Sequence, residues 1–424
     1  MPVARSRRSV LLLVLALGAV ELTLLALWQR NSYWDYSDGV YAETARALLA
    51  GHGLYGDVAA AQPPPVYLFG ALLLAIHDGI VWLRAGLALV ELVTGALVAL
   101  SVWRICGRGP IAVAAGALAP LLPITLHEHA QLLPETLVAP LVMGGALWCA
   151  RRERAFSGGM VLALAVTCKL AFALPALAVV LASVARRRAL AGLLAALLAL
   201  VLAGLSRYGT ALGRETVQAQ IEVGRASLRY VAGLLAQGAW NELPLLALAA
   251  AALILAREAR DRALVRTLAA AAGAGLLLAL SLFKRGSYID VLAVAEPPLL
   301  ALAACGTAWA WKRARSRPAV VLWGGLLLAQ SISLLIDPGR PVIARRPFAH
   351  SGLQYVLSPG AVDRAVAAAR PCPPALPYSG VPFIAFLAHR RMPGDQPDVF
   401  IVGNASIDAP FARRVDADSP RCPP

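Results

Sequence analysis

Long apolar runs alternate along the chain with short basic turns. A helix that crosses the hydrocarbon core of a bilayer needs about 20 mostly apolar residues. Runs of this kind fall at 10–28, 80–103, 110–126, 132–150, 157–169, 171–185, 189–206, 241–256, 264–283, 288–311 and 318–336. They predict an all-α polytopic membrane protein with about 11 transmembrane helices. The first run follows Arg5, Arg7 and Arg8, as the core of a signal peptide would. It is long for that and lacks a clean small-x-small cleavage site, so it reads as a retained first helix. The runs 157–169 and 171–185 are short, and one bent helix is the alternative. Such a merger would invert every later helix, so loop charge decides.

Basic residues favour the cytoplasmic side of a membrane. With eleven spans, the clusters Arg5/Arg7/Arg8, Arg104/Arg108, Arg151/Arg152/Arg154, Arg186/Arg187/Arg188, Arg257/Arg260/Arg262/Arg266 and Lys312/Arg313/Arg315/Arg317 all fall inside. Only Glu153, Glu258 and Asp261 oppose them. The N-terminus is then cytoplasmic and the C-terminus extracytoplasmic. Two units follow. Residues 1–336 form a transmembrane domain with a long first outer loop at 31–78, and 337–424 form a small extracytoplasmic α/β segment. A later outer loop, 207–240, carries Arg207, Arg214, Arg225 and Arg229.

Composition narrows the class. Apolar residues make up 59% and charged residues 15% of the 424, with mean hydropathy +0.67. Soluble domains are nearer 45–50% and about 25%. This excludes an ordinary soluble enzyme, a disordered chain and a disulfide-stapled module. The net charge of +15 does not mark a nucleic-acid binder, because the basic residues sit in turns between apolar runs. Three lysines among 39 basic residues, with abundant Ala, Leu and Gly, fit a GC-rich bacterial genome and hence a bacterial plasma membrane. Cys372 and Cys422 both fall in the outer tail, where an oxidising compartment permits a disulfide.

Candidate chemistry concentrates in the first outer loop. Ser37 can cap a helix from Asp38 to Gly51, with Tyr41, Ala45 and Leu48 on one face, the pattern of an amphipathic helix lying on the membrane surface. Asp38 in its first turn is favoured by the free N–H groups and the helix dipole. That position suits either a simple cap or a general base or metal ligand. The run Val66–Ile76, after the prolines at 63–65, is too short to span and reads as a second surface helix. Arg84, near the outer end of the next span, either reaches a lipid phosphate or snorkels. His127 and His129 flank Glu128; a His-x-His pair can ligate a divalent metal, but no third ligand is evident, so no metal residue is assigned.

The order Asp38-x-x-Tyr41-x-Glu43-x-x-Arg46, Gly-x-Gly, Tyr55-x-Asp57, a proline cluster with Tyr67, then Arg84 resembles glycosyltransferase family 39. This branch of C-type (GT-C) polytopic glycosyltransferases includes protein O-mannosyltransferases and lipid A aminoarabinose transferases. The resemblance covers roughly residues 10–310. Within it, HEHAQLLPETL (127–137) matches a second outer carboxylate at Glu135, with Glu128 as competitor. CKLAFALP (168–175) matches at Lys169, and KRGSYIDVLAVAEPP (284–298) matches at Lys284, Tyr288 and Pro297. Two departures stand out: Gly39 replaces a common Glu, and Gln62-Pro63-Pro64 replaces an acid-Lys-Pro triplet. The later outer loop also lacks the metal-binding His of the aminoarabinose branch.

The resemblance implies an inverting hexosyl- or pentosyltransferase that uses a polyprenyl-phosphate-linked sugar donor. The acceptor would be an extracytoplasmic glycan, lipid or protein. It places catalysis on Asp38, as general base, and Glu135. It assigns Lys169, Lys284, Arg285 and Arg84 to the donor phosphate, and Tyr41, Glu43, Tyr288 and Glu128 to substrate. No cofactor is required, though a divalent metal is compatible. The competing readings are a lipid or solute transporter or flippase, since Glu21 and Glu91 lie deep in predicted helices, and an inactive scaffold.

Overall fold

A computed structural model describes residues 2–31, 34–127, 129–218, 221, 224–284, 287–313, 354–355, 359–371 and 382–398. Helix α1 spans Pro2–Asn31, α2 Tyr36–Leu49, α3 Pro65–Ile76, α4 Ile80–Cys106, α5 Gly109–Leu118, α6 Pro123–His127 and α7 Pro134–Cys149. There follow α8 Ala155–Cys168, α9 Ala173–Ala182, α10 Arg186–Tyr208, α11 Leu228–Ile254, α12 Arg262–Leu277 and α13 Glu296–Arg313. Short 3-10 helices at Leu278–Phe283 and Ile289–Ala295 extend α12 and precede α13. Four of these stretches, Ile80–Cys106, Arg186–Tyr208, Arg262–Phe283 and Ile289–Arg313, are long and apolar enough to cross a membrane by length and composition. The run 318–336, Cys372, Cys422 and the stretch 399–402 lie outside the described residues.

The two short runs are separate helices. Lys169 is extended (φ −159°, ψ 126°) and breaks the chain between α8 and α9. The chain then reverses: Arg266 Nε donates to Ala182 O at 2.7 Å, and Val184 N donates to Cys149 O at 3.3 Å. The end of α9 therefore lies beside the end of α7 and the start of α12. Basic turns gather at this same end. Arg104 bonds Asp261 and Leu147 O, Arg260 N donates to Ile105 O at 3.0 Å, and Arg313 pairs with Glu258 at 2.5 Å.

Close packing uses small residues, as between membrane helices. α8 crosses α10 so tightly that a Cβ on Gly159 would lie 1.9 Å from Ala189 O, and one on Gly192 2.0 Å from Phe156 O. α11 packs on α13, where a Cβ on Gly306 would lie 2.2 Å from Leu248 O. At the end opposite the basic turns, Glu296 caps α6, accepting from Ile124 N at 2.8 Å and Thr125 N at 2.7 Å.

The first outer loop differs from its expected form. α2 begins at Tyr36, so Ser37 lies inside the first turn rather than capping it. It ends near Gly51 (φ +94°), a left-handed position that suits glycine. α2 does not lie with one face on the membrane surface, since residues 38–45 are buried in an unbroken run. One side meets α3, with Tyr41 and Tyr67 edge to face at 5.4 Å. The other is covered by a helix of the tail, α15 (Pro382–Ala388). A Cβ on Gly39 would lie 2.4 Å from Phe383 N, so the Gly39 departure makes room for that helix. Arg46 stacks on Phe386 at 3.9 Å and donates to its carbonyl at 3.0 Å. The described tail also contains α14 (Pro359–Ala369) and a two-residue strand, Gln354–Tyr355, antiparallel to Trp34–Asp35.

Candidate active site

Glu135 opens α7 directly behind Pro134, in the first turn, where the helix dipole favours a carboxylate. It is 1% exposed. Because Lys169 leaves α8 in extended conformation, its side chain is free of the helix, and Nζ donates to Glu135 Oε1 at 2.5 Å. Glu135 Oε2 has no hydrogen-bond partner among the described residues. The carboxylate lines a small cavity shared with Glu91, Thr94, Thr125, Ala293 and Pro297.

Lys284 ends the turn after α12, and its backbone pairs with Arg225 of the later loop. Burial pulls its ammonium down to about 8, with the Lys169 charge adding to the effect and Asp398 opposing it. The two lysines therefore feel each other. The Tyr41 phenol is pushed well up by burial, then by Tyr67, Glu135, Asp398 and Asp290. These influences bring side chains of α2, α3, α7, α8, the turns around α12 and the tail within electrostatic reach of one another, at the end opposite the basic turns.

Other expected residues make contacts of their own. Asp38, 1% exposed, forms a two-pronged ion pair with Arg84, with Nη1 on Oδ1 at 3.1 Å and Nη2 on Oδ2. Asp38 Oδ1 also accepts from Leu132 N at 2.7 Å, and Arg84 Nη1 donates to Ala130 O at 2.5 Å. The pair thus pins α2 and α4 to the loop ahead of α7, and the Arg84 guanidinium is committed to Asp38. Glu43 faces the tail side, paired with Arg46 at 2.9 Å; burial pushes its carboxyl up to about 8 against the pull of Arg46. Tyr288 is half-buried at the start of the turn 289–295. Arg285, Glu128 and the His127 side chain lie outside the described residues.

The tail supplies what the sequence did not mark. Gln396, fully buried, accepts from Ala59 N at 2.9 Å and donates to Asp57 O at 2.6 Å. This clamp holds Asp398 within electrostatic reach of Tyr41 and Lys284. Around Glu135 no group of three metal-ligating side chains forms among the described residues; Glu21, Glu91 and His129 form one nearby.

No family profile and no curated protein matches the chain. Solved structures do. The aminoarabinose transferase ArnT from Cupriavidus metallidurans, bound to undecaprenyl phosphate, aligns with TM-score 0.66 and 14% identity over 94% of this chain and 88% of that one. Its apo state aligns with TM-score 0.66 and 15% identity over the same shares. The arabinosyltransferase EmbB from Mycobacterium smegmatis aligns at 0.48 over 69% of this chain and 30% of its own, below the level at which a shared fold is read. The chain therefore shares the polytopic all-α fold of the ArnT structures.

Proposed function

We propose that this protein is a multi-pass glycosyltransferase of the bacterial plasma membrane that takes sugar from a polyprenyl-phosphate donor. One observation carries the reading: Lys169 pairs with the buried Glu135, and Lys284, another of the chain's three lysines, lies within electrostatic reach of Lys169, at the end of the bundle away from the basic turns. The positive-inside bias supports an extracytoplasmic position for that end. Structural likeness to a transferase bound to undecaprenyl phosphate supports the donor class.

The chemistry requires a leaving phosphate to be stabilised and an acceptor hydroxyl to be activated. Lys169 and Lys284 attract the phosphate as point charges. The sequence places the base at Asp38. The geometry favours Glu135, whose Oε2 is open toward a cavity, while both Asp38 oxygens are engaged by Arg84. The acceptor oxygen loses its proton to the carboxylate and bonds the anomeric carbon. The bond from that carbon to phosphate oxygen breaks, and polyprenyl phosphate departs. Attack opposite the leaving group inverts the anomeric centre.

The test is transfer from radiolabelled polyprenyl-phosphate sugars to envelope extract by the full chain in nanodiscs. Label should move to a glycan, lipid or protein fraction with the wild type and not with Lys169→Ala. Absence of transfer with every hexose and pentose donor tried, together with donor-independent lipid scrambling, would replace the transferase by a flippase.

A further inference from the structure

We propose that Glu21, Glu91 and His129 build a binding site for one divalent transition-metal ion, zinc or a similar borderline cation. The site joins α1, α4 and the loop before α7. All three side chains are buried, at 2%, 6% and 1% exposure, and their ligand atoms lie within 4.8 Å of one another. Burying two carboxylates beside a single imidazole is costly unless a cation or proton compensates them.

The hydrogen bonds assign the parts. Glu91 Oε1 accepts from Ala130 N at 2.8 Å, and its Oε2 lies 2.6 Å from His129 Nδ1. That is the arrangement in which a carboxylate holds the proton on one ring nitrogen and orients the other toward a metal. His129 Nε2 faces Glu21 Oε2 across 3.7 Å. Zinc bonds to nitrogen and oxygen run about 2.0–2.2 Å, so an ion between the two atoms spans that gap. Among the described residues neither oxygen of Glu21 has a hydrogen-bond partner, although the group is almost wholly buried. The carboxylate is open to a cation from both oxygens. A mixed imidazole and carboxylate set favours zinc, cobalt or manganese over magnesium, which keeps an oxygen shell.

The consequence is positional. Ala130 and Leu132, in the same loop, receive and donate the bonds to Arg84 and Asp38, and Glu135 follows at the start of α7. An ion at His129 would fix this loop from the α1 side.

The site does not depend on the transferase reading, and its test is metal content. The full chain, purified in detergent and stripped with chelator, is titrated with Zn²⁺ alone and with Co²⁺ alone. One equivalent of zinc per chain, and a cobalt absorption spectrum showing a nitrogen and oxygen environment, are expected. Glu21→Gln and His129→Ala should each bind zinc roughly tenfold or more weakly. His389→Ala, which removes an exposed histidine, should bind as the wild type does. Zinc uptake unchanged in Glu21→Gln, or lost with His389→Ala instead, overturns the site. So does a stripped wild-type chain that takes up neither ion. If the variants fail to give a monodisperse protein, X-ray absorption on the zinc-loaded wild type decides, and a shell without imidazole overturns the proposal.

Discussion

Glu135 and Asp38 are both buried acids near the same loop, yet one has an open oxygen and the other is engaged by a guanidinium. Different outcomes follow from removing each charge. Glu135→Gln should cut transfer by about 10²–10⁴, the range for a general base, with little change in melting temperature. Asp38→Asn strands a buried Arg84, a change that costs about 3–5 kcal/mol, so the melting temperature should fall sharply. Lost activity in Asp38→Asn with an unchanged melting curve would return the base to Asp38. Lys284 gives a pH signature. Its ammonium is held down to about 8, so its charge fades as pH rises through that value, and donor affinity should weaken on the alkaline side. Lys284→Arg cannot deprotonate in this range and should flatten that limb when donor KM is measured from pH 6.5 to 9.5. In the sequence Lys169 stands out by the scarcity of lysine, and Lys284 by its adjacency to Arg285 on the expected outer face. Asp398 was not, since one acid in a polar tail carries no signal until Gln396 is seen to clamp it down.

Helices were the most readable elements, because each apolar run between basic turns can bury its backbone bonds only by coiling. The break at Lys169 was visible only as shortness of two runs. What the pattern missed is the burial of α2. Its spacing looked amphipathic, but its second face is covered by α15, more than 330 residues away in sequence, and local periodicity is blind to such contacts. Gly39 records that contact. Gly39→Glu, which restores the residue common in the resembling family, should push α15 away, because its Cβ meets backbone at 383 rather than a movable side chain. Hydrogen exchange should rise across 382–388 while α8 and α10 stay protected. Unchanged exchange there would mean that α15 does not rest on α2.

Across the whole molecule, charge and chemistry separate to opposite ends of one bundle. Arg187 lies in the exposed first turn of α10 and Arg229 in the exposed first turn of α11. In whole cells, a membrane-impermeant thiol reagent should label Arg229→Cys directly and Arg187→Cys only after permeabilisation; the reverse pattern would invert the bundle. Loop charge made this polarity readable, whereas which side chains share the pocket depended on how helices distant in sequence pack. The tail clamp also has a temporal meaning. Residues 392–398 leave the ribosome after every described helix of the bundle. A nascent chain can thread and pack its helices before Gln396 reaches Asp57 and Ala59, so the contact that fastens the tail to the first outer loop forms last.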